Sequence, residues 1–227
     1  MNELNFISFI APWYAQPIAD LFSKIFDYED SSKYIQGNPY EAAYSCSIIL
    51  LLVAMLEGIA VRAASLTKEL GSNGKFNSLK YLERKCNKIF FKKELKEIFV
   101  VRDAIAHSHL WVTQVSTNPE SWMKILKKEL YSGFGDDKHK HVFDDASCRT
   151  KALQIELVPT KMTKQEALKV FDIVIKSVKC LDTLTNRIMG IDACRISFKK
   201  LELSLLSFYE EVKRIAQPRA TGDARYR

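Results

Sequence analysis

The chain has 227 residues, 47% hydrophobic and 27% charged, the balance of an ordinary soluble globular protein that can bury a substantial core. Thirty-four Lys and Arg against twenty-seven Asp and Glu give a net charge of +7 and a pI near 9.1, which suits a polyanionic partner. Eight glycines and six prolines leave little room for tight turns, so helices are expected rather than a β-sandwich. Cysteines 46, 86, 148, 180 and 194 are odd in number and form no CxxC pair, and are read as reduced thiols in a cytoplasmic protein. The start, Met1-Asn-Glu-Leu4, lacks a basic region ahead of an apolar run, so no signal peptide is expected. Ile48–Leu56 is apolar throughout but short of the ~20 residues a membrane span needs. It is read as a buried core helix, with no membrane partner.

In chain order, Ile18, Leu21, Phe22, Ile25 and Phe26 keep amphipathic helical spacing over residues 17–26, with Pro17 suited to the first turn. A polar stretch, 28–37, breaks the pattern. Asn38-Pro39-Tyr40-Glu41 then reads as a helix start, with a capping side chain, a proline and an early carboxylate. That helix is expected to run to Leu70, with Gly71 as its stop and Gly58 as either a bend or a point of close backbone approach. After a loop at Ser72–Gly74, Leu79, Leu82, Cys86 and Ile89 or Phe90 form the stripe of another helix. The next spans about Lys92 to Leu110.

Residues 111–116 alternate and are rich in β-branched side chains, so a strand is expected. Asn118-Pro119-Glu120 starts a short predicted helix carrying Trp122, Ile125 and Leu126. Residues 132–150 form the longest irregular stretch. Ala152–Val158 alternates again, ends at Pro159, and is expected to pair with 111–116 as a small ribbon. Thr163-Lys-Gln-Glu166 is a capping box opening a helix to about Met189, with Ala167, Val170, Phe171, Val174, Val178, Leu181 and Leu184 on its buried face and Gly190 at its close. A last helix is expected from about Ser197 to Ile215, through Leu201, Leu205, Phe208 and Val212. The resulting expectation is all-α: one helical domain over 1–217, with a β-hairpin insertion at about 111–160 and a disordered basic tail at 218–227.

The chemistry concentrates in residues 98–111. Ile98, Val101 and Ile105 share one side of the helix while Phe99 and Val100 point to two others, the pattern of a buried helix. Yet Arg102, Asp103 and His107 lie inside it, and burying a charge costs several kcal/mol unless it is paired. Arg102-Asp-Ala-Ile-Ala-His107 is an Arg-x4-His spacing. Set in a late amphipathic helix after a long apolar helix containing Glu57, it resembles the signature of the HEPN superfamily, whose pattern accepts Asp after the arginine. These are small all-helical domains found in prokaryotic toxins, abortive-infection proteins and RNA-processing factors. The resemblance covers roughly residues 40–190. It implies a HEPN-like bundle and a metal-independent endoribonuclease with no cofactor. It also implies a homodimer with motifs facing across a shared cleft, a toxin or anti-phage role, and regulation by an antitoxin or another protein. A polar residue of the long helix, here Glu57, is implied to sit against the motif. A subgroup regulated by nucleotidylation has a tyrosine two positions after the motif histidine, where this chain has His109.

An imidazole titrates near neutral pH, so His107 is the natural general acid or base. Asp103, four residues earlier, is placed to orient the ring, and Arg102 offers donors suited to phosphate oxygens. The internal 2′-hydroxyl of RNA supplies the nucleophile, so no metal is required. On one ideal helix Arg102 and His107 diverge by ~140°, which a composite site between two subunits would resolve. The other reading of the same residues is an Arg–Asp salt bridge, a structurally bonded histidine and an exposed or Arg62-paired Glu57. In that case the chain is a non-catalytic module binding a nucleotide, RNA or protein. His109 is a supporting imidazole or a plain helix-end residue. His139 and His141 among Asp136, Asp137, Asp144 and Asp145 read as a solvated loop rather than a metal site. The lysines and arginines of 80–96, interleaved with Glu83, Glu94 and Glu97, read as a charged face that could guide RNA.

Overall fold

The computed structural model describes residues 11–27, 39–70, 76–86, 91–106, 111–115, 123–127, 142–144, 147–186 and 193–217. These are mostly helical, with three small antiparallel strand pairs. The helices are α1 (Ala11–Asp27), α2 (Pro39–Leu66), α3 (Ser78–Lys85), α4 (Lys92–Ala106), α5 (Lys164–Leu184) and α6 (Leu205–Ala216). The long apolar helix organises the rest. Ile48, Ile49, Leu52, Val53, Leu56 and Ala60 are fully enclosed, and α2 packs against α1, α3, α4 and α5. By length and composition alone α2 could cross a membrane, but half of its most apolar window is already covered by the rest of the chain. Where α1, α5 and α6 converge, Phe22, Phe171 and Phe208 form a ring cluster with centroids 5.6–6.2 Å apart, a geometry that adds to area burial.

Several element ends differ from the sequence-based expectation. α1 contains Pro17 in its interior rather than its first turn. The missing amide hydrogen bond is outweighed by burial of Ala15, Ile18, Ala19, Phe22 and Ile25. α2 stops at Leu66, before Leu70. Lys68 takes a left-handed conformation (φ 55°), and the amides of Lys68 and Glu69 bond back to Ser65 and Ala64 at 3.0 and 2.7 Å. This is a Schellman closure built without glycine; the expected stop, Gly71, lies outside the described residues. α5 has the expected capping box at Thr163 and Glu166 but ends at Leu184, beside a left-handed Asn186 (φ 51°). Leu184 is 43% exposed and is not part of the buried stripe.

The strands need larger corrections. β1 (Trp111–Val115) forms as expected, but its partner is β2 (Met123–Lys127), from Trp111↔Lys127 to Val115↔Met123. Residues 123–127 of the segment read as a short helix are thus a strand, its start at 118–122 lying outside the described residues, and 152–158 does not join the ribbon. Closing the short connection between β1 and β2 costs less chain entropy than reaching a strand some forty residues away. Within the expected irregular stretch, β3 (Phe143–Asp144) pairs with β4 (Arg149–Thr150). Ala152–Val158 is no regular strand; it makes one bridge, Glu156 to Arg149, and buries Ile155, Glu156, Leu157 and Val158 consecutively.

The expected last helix is also two elements. β5 (Ile196–Phe198) and β6 (Leu201–Leu203) form a hairpin before α6, which Ser204 caps by accepting the Ser207 amide. The hairpin turns on Lys199 and Lys200 (φ 47° and 69°), a pair of conformations usually supplied by Asn-Gly. Leu201, expected in the core, is 47% exposed. The cysteine reading is corrected too: a disulfide joins Cys86 to Cys180, and Cys46, Cys148 and Cys194 stay outside it as thiols. Helix packing brings Cα atoms 94 residues apart in sequence to 6.1 Å, inside the range a disulfide spans.

Candidate functional site

The helix carrying the motif is buried as its sequence implies. Ile98, Phe99, Val100 and Val101 are 0–4% exposed, so α4 is enclosed on more than one side, and the charged Arg102 and Asp103 follow directly. Arg102 is not isolated. Its Nη1 donates to Glu57 Oε2 of α2 at 3.0 Å, its Nε lies 2.7 Å from Asp103 Oδ1, and its guanidinium carbon lies 5.6 Å from the Phe99 ring centre. The Nε contact is a close ion pair rather than an aligned hydrogen bond, because Nε has no acceptor at good angle. Glu57 therefore pairs with the motif arginine, forty-five residues on.

The burial of this trio is partial: the side chains of Arg102, Glu57 and Asp103 are 27%, 33% and 17% exposed. Two carboxylates flank one guanidinium, so these three side chains together carry a formal charge of −1. This holds Arg102 in place, and a phosphate approaching it meets a guanidinium already engaged on two sides. α4 as described ends at Ala106. His107 and His109 lie outside the described residues, so the geometry unites three of the five sequence-predicted site residues: Arg102, Asp103 and Glu57.

A second group, which the sequence reading did not single out, fixes the same helix. Glu97, expected on a charged face, is 3% exposed. Its two carboxylate oxygens accept the amides of Ala152 and Leu153 at 2.7 and 2.8 Å. One carboxylate of the motif helix thereby closes the turn that follows β4. The signal was present in the spacing: Glu97 precedes the buried Val100, Val101 and Ala104 by three, four and seven residues. Glu41 does similar work between α2 and α5, accepting the Lys164 amide at 2.9 Å.

On the far side of α5, the Tyr209 hydroxyl donates to Asp172, which also pairs with Lys176 at 2.6 Å. Burial pushes the Tyr209 phenol up, and the Asp172 carboxylate pushes it further. Burial also acts to raise Asp172, but hydrogen bonds from Lys176 and Tyr209 outweigh it and hold the carboxyl below its ordinary value. Tyr209 and Asp172 border a groove of about 410 Å³ between α5 and α6, lined also by Lys169 and Lys213.

Among the described residues no group of three His, Cys, Asp or Glu side chains is placed to hold a metal; His139 and His141 lie outside them. Of the basic residues of 80–96, Arg84 and Lys85 pair with Glu69 and Lys96 with Glu83, whereas Lys80, Lys92 and Lys93 are exposed. No family model matches the chain, and no curated protein or solved structure is significantly similar to it.

Proposed function

We propose that the chain is a metal-independent endoribonuclease of the HEPN type, a cytoplasmic toxin or anti-phage effector acting on RNA. The observation that carries the reading is the Arg102 cluster, in which Glu57 from the long helix meets the motif arginine at 3.0 Å beside Asp103. That arrangement fits the resemblance better than a chance hexapeptide would, because it joins residues of two helices that the resemblance singles out. In the proposed reaction His107 takes the proton of the RNA 2′-hydroxyl as that oxygen attacks the adjacent phosphorus. The bond to the 5′-oxygen breaks and that oxygen gains a proton, from the same imidazole or from His107 of a second subunit. The products are a 2′,3′-cyclic phosphate and a 5′-hydroxyl. Arg102 stabilises the charge on the phosphorane, an effect that commonly matches or exceeds the ~10²–10⁴-fold of acid–base help. A homodimer would bring two motifs to one cleft and relieve the ~140° divergence of Arg102 and His107 on one helix.

One observation favours a second reading, a non-catalytic module for a nucleotide, RNA or protein. Arg102 already has two carboxylate partners, as a structural arginine would. Incubation with mixed cellular RNA in EDTA separates the two. The first reading expects fragments that survive chelation; the second expects intact RNA and a thermal shift with a bound nucleotide or RNA.

A further inference from the structure

The thiol chemistry of the chain converges on one covalent tie. Cys86 caps the carboxyl end of α3 and is 4% exposed, while its partner Cys180 lies partly exposed on α5. α3 has eight residues, well short of the ~12–15 at which an isolated helix holds its own, and of those residues it buries only Tyr81 and Leu82. Its polar ties are slight. Tyr81 and Thr67 share a hydroxyl contact at 3.4 Å, Arg84 and Lys85 reach Glu69 at 2.7 and 2.5 Å, and Glu83 meets Lys96 of α4 at 3.5 Å. Ion pairs this exposed contribute little. The bond to α5 therefore adds a covalent tie to the burial of Tyr81 and Leu82 that otherwise holds α3.

We propose that Cys86–Cys180 is a thiol-controlled latch: closed, it holds α3 on α5 and steadies the start of α4; opened by a dithiol, it lets α3 leave while the α1–α2–α5–α6 core stays folded. A thiolate of the dithiol attacks Sγ of Cys180, the more exposed of the two residues, and the S–S bond breaks. Cys86 departs as a thiolate and takes a proton. The second thiol of the reagent then displaces Cys180, which is protonated in turn. Two electrons and two protons reach the protein, and the reagent leaves as a cyclic disulfide. Two of the other cysteines compete poorly, because the thiolate is the reactive form. Burial pushes the Cys46 thiol up to about 11, and burial raises Cys194 as well. In a reducing compartment the latch would stand open and close on oxidation; in an oxidising one it would stay closed. The latch does not depend on the ribonuclease reading, although α4, which carries Arg102, lies within the loop it closes.

The test is segment-resolved hydrogen exchange on the full chain, oxidised with glutathione disulfide or reduced with dithiothreitol. Thiols are counted after denaturation in each sample. The expected count is three when oxidised and five when reduced. On reduction, amides of 78–86 and of the first turn of α4 should exchange at least about tenfold faster, with α2 and α5 unchanged. Cys180→Ser should show the reduced pattern with or without dithiothreitol; should that variant fail to fold, the wild-type pair of samples still decides. Five free thiols in the oxidised sample, or equal exchange of α3 in both, would overturn the latch. Loss of protection across the whole chain would overturn it too, by making the bond a staple of the entire fold.

Discussion

Glu97→Gln is the substitution whose cost follows most directly from the geometry. The carboxylate is 3% exposed and accepts two amides, one on each oxygen, at 2.7 and 2.8 Å. Hydrogen bonds to a charged acceptor contribute ~1.5–3 kcal/mol each, which sets an upper bound of ~3–6 kcal/mol for the pair. Glutamine keeps one acceptor and turns an NH₂ toward the other amide, so one bond is lost outright and a donor faces a donor. Ala152 is exposed, however, so water can satisfy part of what is left, and removing a buried charge returns its desolvation cost. The net loss should be ~2–3 kcal/mol, lowering Tm by roughly 4–12 °C for a chain of this size. Calorimetry measures the shift, and hydrogen exchange should show residues 151–158 opening first. A change below about 1 °C with unaltered exchange in that segment would refute the reasoning, since it would mean the two bonds are dispensable to the packing of the insertion on α4.

Two further outcomes follow from the ionic groups. A double-mutant cycle on Glu57→Gln and Arg102→Gln, read by urea unfolding, should give a coupling of ~0.5–1 kcal/mol, discounted because both side chains are about a third exposed; additivity within ~0.3 kcal/mol would show that the contact adds nothing to stability. Tyr209 is held above its ordinary value in the folded chain, so its contribution to stability is complete below the unfolded phenol's ~10 and is lost as pH rises beyond it. Asp172 is held low, so its contribution is present above the unfolded value near ~4 and is lost as pH falls below it. The 295 nm titration of wild type minus that of Tyr209→Phe should place Tyr209 above an ordinary phenol, and Asp172→Asn should lower it. A difference curve centred at the ordinary ~10 would contradict this environment.

What could be read in advance depended on whether the signal was local. The Thr163–Glu166 capping box and the faces of α1, α2 and α5 were legible because side chains three and four apart report directly on the side that packs. Residues 196–203 were not, because Leu201, Leu205, Phe208 and Val212 keep helical spacing. The turn is made by Lys199 and Lys200, which accept the left-handed conformation at a cost of ~1–2 kcal/mol each without announcing it. Met123–Lys127 misled in the same manner, since short apolar runs fit a helix or a strand and tertiary pairing decides. Cys86–Cys180 and Glu97 with the 151–153 turn are contacts across 94 and 55–56 residues, and such pairings are settled only by the packed helices. At the candidate site, the apolar surround of Arg102 implied a partner for it. The sequence supplied Asp103 as the adjacent carboxylate and Glu57 through the resemblance, but not the fact that both engage the same guanidinium.

The central claim is that the motif of α4 cleaves RNA without a metal. The most direct measurement compares wild type, His107→Ala and Arg102→Ala on mixed cellular RNA in EDTA, reading the 3′ ends of the fragments. Wild type should yield 2′,3′-cyclic phosphate ends, with both variants reduced by ~10² or more. Equal cleavage by His107→Ala and wild type would contradict the account, because the activity would then belong to another site or another protein.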